Sequence, residues 1–260
     1  MQLIDTHSHI FVQEFDVDRE QSIARAAEVG VSKLLLPNID STSISRLLET
    51  AQAYPDVCYP LMGLHPTSVG KDFEKELEII EDWFSRHKFY GIGEIGIDLY
   101  WDKTYIEQQI EAFTYQIRLA KKLKLPIVIH ARNSFNEIFE VLDRENDESL
   151  TGIFHSFTGG ENEYKRIMSY GGFLLGIGGV VTYKHGGVDK VIPLMSTSQI
   201  VLETDSPYLS PVPNRGKRNE PANLIYTAKR VADLLGVDIH DLATATSANA
   251  VKLFGLNPKE

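Results

Sequence analysis

Cysteine is nearly missing from this chain. Cys58 is the only one in 260 residues, so no intrachain disulfide can form. It lies in an apolar stretch and reads as a packed core thiol, and a cytoplasmic protein is the expectation. No apolar run approaches the roughly 20 residues that span a bilayer, so no membrane partner is expected. The first residues show no basic segment leading into an apolar run and a small-residue cleavage site, so no signal peptide is expected. Basic residues are in deficit: 26 Lys and Arg stand against 36 Asp and Glu, for a net charge of −10. That balance argues against non-specific DNA binding through a broad basic surface. It leaves room for a local basic rim. PNRGKRNEP (213–221), with Arg215, Lys217 and Arg218, is the best candidate for one, and a solvated loop is the alternative. There is no low-complexity tract, long linker or short repeat. No GxGxxG or GxxxxGK[ST] pattern follows an early strand, which removes the usual support for a doubly wound sheet.

What is present has the make-up of an ordinary globular protein, 43% hydrophobic and 24% charged. Short apolar runs followed by turn residues mark eight strands: LIDTHSH (3–9), KLLLPNI (33–39), CYPLMGLH (58–65), YGIGEIG (90–96), PIVIHAR (126–132), TGIFHSF (151–157), GFLLGIGG (172–179) and IVLETD (200–205). Between them lie segments of helical period. The longest, YIEQQIEAFTYQIRLAKKLK, carries Ile106, Ile110, Phe113 and Ile117 at three- and four-residue spacing. Two more helical segments follow the eighth strand. The alternation predicts an α/β fold, a (β/α)8 TIM barrel with extra C-terminal helix, formed as a single unit over residues 1–260.

In LIDTHSHI, Asp5, His7 and His9 fall at every second position of a strand that otherwise looks buried. Residues two apart on a strand share a face, and buried polar groups are costly unless something satisfies them. Similar residues recur at the ends of other predicted strands: His65 in GLHP, Glu94 in GEIG, His130 followed by Arg132, His155, and Asp205 in ETDSP. Any one of them has an ordinary structural explanation. Together they converge, because the C-terminal ends of parallel barrel strands meet at one rim. His7, His9, His130 and His155 with Glu94 and Asp205 make a nitrogen and oxygen donor set for divalent metals. The set exceeds the three protein ligands usual for one catalytic zinc, and two metals sharing a carboxylate account for the surplus. His65 does not fit the six-ligand arrangement.

These pieces (IDTHSH, GLHP, GEIGID, PIVIHAR and IVLETDSPYL, in this order) resemble the TatD family of metal-dependent deoxyribonucleases, among the amidohydrolase-type barrels. The resemblance runs over essentially the whole chain. Two departures stand out: Ile10-Phe11 follows HxH where relatives often place Asp or Asn, and Asn133-Ser134 follows HxR in place of a more common acidic and Ala-like pattern. Neither removes a proposed ligand. The resemblance implies that His7, His9, Glu94 and Asp205 serve one metal and Glu94, His130 and His155 the other. Glu94 would bridge them, in place of the carboxylated Lys of dihydroorotase-like or urease-like members.

The implied activity is hydrolysis of DNA phosphodiesters, as an exonuclease on single-stranded DNA, by hydroxide activated between two divalent ions. In this expectation Asp205 orients or deprotonates the water. His65 contacts a phosphate oxygen or protonates the leaving group, and Arg132 holds phosphate. Glu203 and Asp5 are expected to fix the tautomers of ligand histidines, and Asp98 to support the rim. Tyr208 and Arg215 are candidate substrate contacts, with loop packing as the equal alternative. The histidine count favours Zn or Mn and the resemblance favours Mg. A monomer is expected, with an oligomer left open. The competing readings are a small-molecule amidohydrolase or phosphoesterase with the same metal centre, and a non-catalytic metal-binding protein.

Overall fold

The computed structural model describes residues 1–256. Eight strands run through it in chain order: β1 (Leu3–Asp5), β2 (Val31–Pro37), β3 (Cys58–Leu61), β4 (Ile92–Asp98), β5 (Ile127–Arg132), β6 (Gly152–Phe154), β7 (Phe173–Ile177) and β8 (Ile200–Leu202). Helices α1 (Arg19–Glu28), α2 (Ile44–Ala53), α3 (Phe73–Trp83), α4 (Ile106–Leu123), α5 (Phe135–Glu145) and α6 (Glu161–Ser169) follow the first six. Only short 3-10 turns join β7 to β8, and α7 (Leu224–Leu235) and α8 (Ile239–Phe254) complete the order.

The strands pair in parallel in two runs, β1 to β3 and β4 to β8. Irregular hydrogen bonds close both gaps. Between β3 and β4, the Met62 and Gly93 amides donate to the Gly91 and Met62 carbonyls at 3.2 and 3.1 Å. Between β8 and β1, Thr6 donates to Leu202 at 3.0 Å, Asp205 to His7 at 2.9 Å and His9 to Ser206 at 2.8 Å. The result is the (β/α)8 barrel expected from the alternation of elements. β4 and β5 approach very closely at Gly96, whose φ is +140° and where a Cβ would stand 2.1 Å from the His130 carbonyl oxygen.

The interior has two zones. Leu35, Leu61, Val128, Ile153 and Val201 form a buried apolar cluster with Ala250 and Phe254 of α8. Strand alternation places Val128 two residues below His130, Ile153 below His155, and Val201 below Glu203. The lower interior is therefore closed by α8, and the polar residues stack above it toward the mouth. Outside the barrel, α4 buries Ala112, Phe113, Ile117 and Ala120, as its three- and four-residue spacing predicts.

Several strands are shorter at the mouth than the sequence suggests. β1 ends at Asp5, so His7 and His9 lie beyond regular pairing. Glu94 does not close its strand: β4 continues to Asp98, which pairs with Arg132. Glu94 therefore sits lower in the barrel than expected, almost fully buried at 2% exposure. The extension arises because β4 keeps pairing with β5 beyond the Gly-rich GIGEIG stretch. Among the described residues, no helix is long and apolar enough to cross a membrane.

Candidate metal centre

The strand-end residues converge on a cavity of about 650 Å³ lined by His9, His65, Glu94, His130, His155 and Asp205, among others. Glu94 is at its centre, and its two oxygens face different partners. Oε2 lies 3.1 Å from His7 Nε2 and 3.5 Å from His9 Nε2. Oε1 lies 2.8 Å from His130 Nδ1, 3.3 Å from His65 Nε2 and 3.6 Å from His155 Nε2. Asp205 Oδ1 stands 3.8, 3.7 and 4.0 Å from the Nε2 atoms of His7, His9 and His155.

These spacings fit divalent ions. Donors held about 2.0–2.2 Å from one metal lie about 3.0–3.5 Å from each other. His7 and His9 place their Nε2 atoms 3.2 Å apart, beside Glu94 Oε2. Hydrogen bonds alone satisfy such a cluster poorly, because a neutral imidazole has one donor and one acceptor nitrogen. The polar groups call for positive charge. His155 is pushed up to about 10: burial opposes its charge, but Glu203, Glu94 and Asp205 outweigh burial. His130 is also raised, its burial overcome by hydrogen bonds to Asp98 and Glu94. Burial drives His7 well below the usual range, reinforced by the His155 ring stacked 3.4 Å away. Burial penalises the Glu94 carboxylate, yet the surrounding histidines hold it well below the usual carboxylate range.

The tautomers separate the histidines by role. His130 directs Nε2 at Asp98 Oδ2, 2.8 Å away, which leaves Nδ1 facing Glu94. His155 has Nδ1 2.9 Å from Glu203 Oε1 and out of hydrogen-bond alignment, with Nε2 toward Glu94 and Asp205. Glu203 Oε1 also accepts from the Ser156 amide at 2.6 Å. His65 differs: its Nδ1 accepts from the Thr67 amide at 3.1 Å, so in the neutral ring Nε2 carries the proton and donates toward Glu94. His65 is thus positioned as a donor, although it groups with Glu94 and His130 in space. The Nδ1 atoms of His7 and His9 are buried without a protein partner.

Other expected residues take varied places. Asp5 touches no imidazole: it accepts from the amides of His7 and Thr204 at 3.2 and 2.9 Å and from the Thr204 hydroxyl at 2.5 Å. It braces the backbone where β1 meets β8. Tyr208 is half exposed, its ring 6.2 Å from that of His9. Arg132 lines the cavity, while Arg215 lies over the Tyr183 ring at 4.4 Å and is outside the lining. Arg218, expected as part of a basic rim, is paired through both terminal guanidinium nitrogens with Asp18 at 2.7 Å. Sequence reasoning missed two glutamines of α4. Gln109 bonds the amide and carbonyl of Asp98 at 2.8 and 3.3 Å, and Gln116 does the same for Leu64 at 2.7 and 3.2 Å. Their signal was two amides seven residues apart on an otherwise apolar helix face.

A family model described as TatD related DNase matches residues 4–255. The chain belongs to the TatD family. The relative YabD of Bacillus subtilis, named an uncharacterised metal-dependent hydrolase, is 36% identical over 256 residues, covering 98% of this chain and 100% of YabD. TatD of Citrobacter rodentium, named a 3'-5' ssDNA/RNA exonuclease, is 32% identical over 264 residues and covers 99% of each chain. The crystal structure of the TatD homologue YjjV from Escherichia coli superposes with a TM-score of 0.92 at 29% identity over 98% of each chain. As a TatD-family protein, the chain is a metal-dependent hydrolase acting on ester bonds.

Proposed function

We propose that this TatD-family hydrolase is an exonuclease that removes nucleotides from single-stranded DNA or RNA, working with two divalent ions (Mg, Mn or Zn). The observation that carries the reading is the division of Glu94: each carboxylate oxygen faces its own set of imidazoles. His7, His9, Asp205 and Glu94 Oε2 would hold one ion. Glu94 Oε1, His130 Nδ1 and His155 Nε2 would hold the other. Bound there, the ions supply Lewis-acid charge to the phosphate and make water acidic enough to react near neutral pH. The name of the Citrobacter rodentium relative supports nucleic acid as substrate and 3'-to-5' direction.

The chain's own groups have distinct tasks. Asp205 is pushed up to about 6, mainly by burial and by nearby Glu94 and Glu203 against the opposing His155 and His9. Its place carries the role: Asp205 lines the cavity with Oδ1 3.7 to 4.0 Å from the Nε2 atoms of His7, His9 and His155, where it would accept the proton of the attacking water. With Glu94 Oε1 engaged by an ion, the Nε2 proton of His65, which faces that oxygen at 3.3 Å, would be free for a phosphate or leaving oxygen. Arg132 presents its guanidinium at the same mouth for a phosphate contact.

The test is an end-labelled single-stranded oligonucleotide incubated with purified protein and Mn²⁺ or Mg²⁺. Progressive shortening from the 3' end, blocked by EDTA and reduced at least about a hundredfold in Glu94→Gln, is expected. Hydrolysis of cyclic amides or simple phosphodiesters without any oligonucleotide cleavage would overturn the reading in favour of a small-molecule hydrolase.

A further inference from the structure

Beyond the metal centre, the cavity mouth carries an aromatic ledge. Tyr100 and Trp101 follow β4 and are 53% and 69% exposed, a large apolar area to leave in water. The Arg132 guanidinium lies over both rings, 3.8 Å from the centroid of Tyr100 and 5.2 Å from that of Trp101. Among the described residues Arg132 has no ion pair and its side chain makes no hydrogen bond. Trp101 and Arg132 line the same cavity as Glu94, His130 and Asp205.

The ledge is anchored. Asp98 Oδ1 accepts from the amides of Tyr100 and Trp101 at 2.9 and 3.2 Å, while Oδ2 meets His130 Nε2 at 2.8 Å. One carboxylate therefore ties the backbone that carries the two rings to the His130 imidazole. Tyr208 follows β8, four strands round the barrel from β4, so it lies on the opposite wall of the mouth. A substrate strand reaching the metal centre between these walls would expose its bases to Trp101.

We propose that Trp101, backed by Tyr100 and Arg132, is a stacking platform for one nucleobase of the substrate and makes the enzyme prefer unpaired strands. This rests on the nucleic-acid reading above. An aromatic face accepts any base, because every base has a π surface, and Arg beside it adds a cation–π contribution. A base in a duplex is already stacked and paired, so it cannot lie on the ring. On a chain of net charge −10, such a local contact supplies binding that a broad basic surface does not.

The test uses Trp83→Phe, which leaves Trp101 as the only tryptophan. Its fluorescence is followed on titration with a (dT)10 oligonucleotide and with an abasic oligonucleotide of equal length, which keeps the phosphates and lacks the bases. In parallel, KM is measured for both oligonucleotides in wild type, Trp101→Ala and Trp101→Phe. Quenching by (dT)10 and not by the abasic strand is expected. Trp101→Ala should raise KM for (dT)10 at least about fivefold, the lower end of single-base stacking, and shrink the preference over the abasic strand. Trp101→Phe should restore most of it. Cleavage by wild type with equal fluorescence response to both strands overturns the platform and leaves the nuclease reading standing. Quenching specific to (dT)10 without any cleavage supports the platform and overturns the nuclease reading. Neither response overturns both.

Discussion

Asp98 Oδ2 lies 2.8 Å from His130 Nε2, and the other oxygen of the same carboxylate holds the backbone of the loop that carries Trp101. Burial alone would raise the Asp98 carboxyl, but the His130 bond and the Trp101 and Tyr100 amides hold it at about 2. It is therefore an acceptor at both oxygens, and Gln109 clamps the backbone beneath it.

Asp98→Asn replaces one acceptor oxygen by an NH2 group, so one of these two tasks must fail. Metal affinity is expected to fall about 10- to 100-fold, the range seen when the carboxylate partner of a ligating histidine is lost. Titration calorimetry with Mn²⁺ or Zn²⁺ reads the effect. Unchanged affinity together with unchanged Trp101 fluorescence would show that the carboxylate positions neither group.

Gly176 of β7 leaves room for Glu203. A Cβ there would stand 2.2 Å from Glu203 Oε2, a distance no real contact tolerates. Gly176→Ala is expected to push Glu203 away from His155 and to lower bound metal and turnover together, while circular dichroism still reports the folded barrel. Elemental analysis of the purified variant measures the metal. Full loading with wild-type turnover would mean that Glu203 does not orient His155.

Asp5 supplies a pH dependence of stability. Its carboxyl is pushed up to about 8 by burial, against the opposing hydrogen bonds from Thr204 and His7. An unfolded Asp titrates near about 4. Between those values the folded chain holds a proton at Asp5 that the unfolded chain has lost, so stability falls as pH rises through this window. In EDTA, urea midpoints should therefore decline from pH 5 toward pH 8 more steeply in wild type than in Asp5→Asn. Parallel curves for the two proteins would contradict this. The expected difference is of the order of a few kcal/mol.

Cys58 should be inert. It is 2% exposed and its thiol is pushed up to about 12, chiefly by burial. A thiol-specific chromogenic reagent at pH 8 should report no reactive thiol in the native protein and one after denaturation. Rapid labelling under native conditions would show that β3 opens.

The barrel was legible in the sequence because each strand and helix carries its own period and its own turn residues. The cluster at the mouth was legible for a related reason: polar residues at the ends of successive apolar strands have few structural explanations in common. Strand ends were read less well. Glu94 looked terminal because glycine surrounds it, yet pairing with β5 carries the strand on to Asp98. Gln109 and Gln116 were hidden within a helix stripe, since a helix period says which face is buried and not which loops it meets.

The sequence by itself thus determined the alternation of elements, the acidic balance and which histidines and carboxylates stand near the strand ends, all of which follow from local composition and spacing. Only the tertiary structure decided which oxygen of Glu94 faces which imidazole, that His65 accepts from the Thr67 amide at Nδ1 and turns Nε2 toward Glu94, and that Asp5 braces β1 and β8 instead of a histidine. The Glu94 contacts depend on strand register, the Asp5 bonds on a partner 199 residues away, and the His65 ring on a local turn whose geometry the residue pattern does not give. Residue spacing along one strand carries no information about any of these.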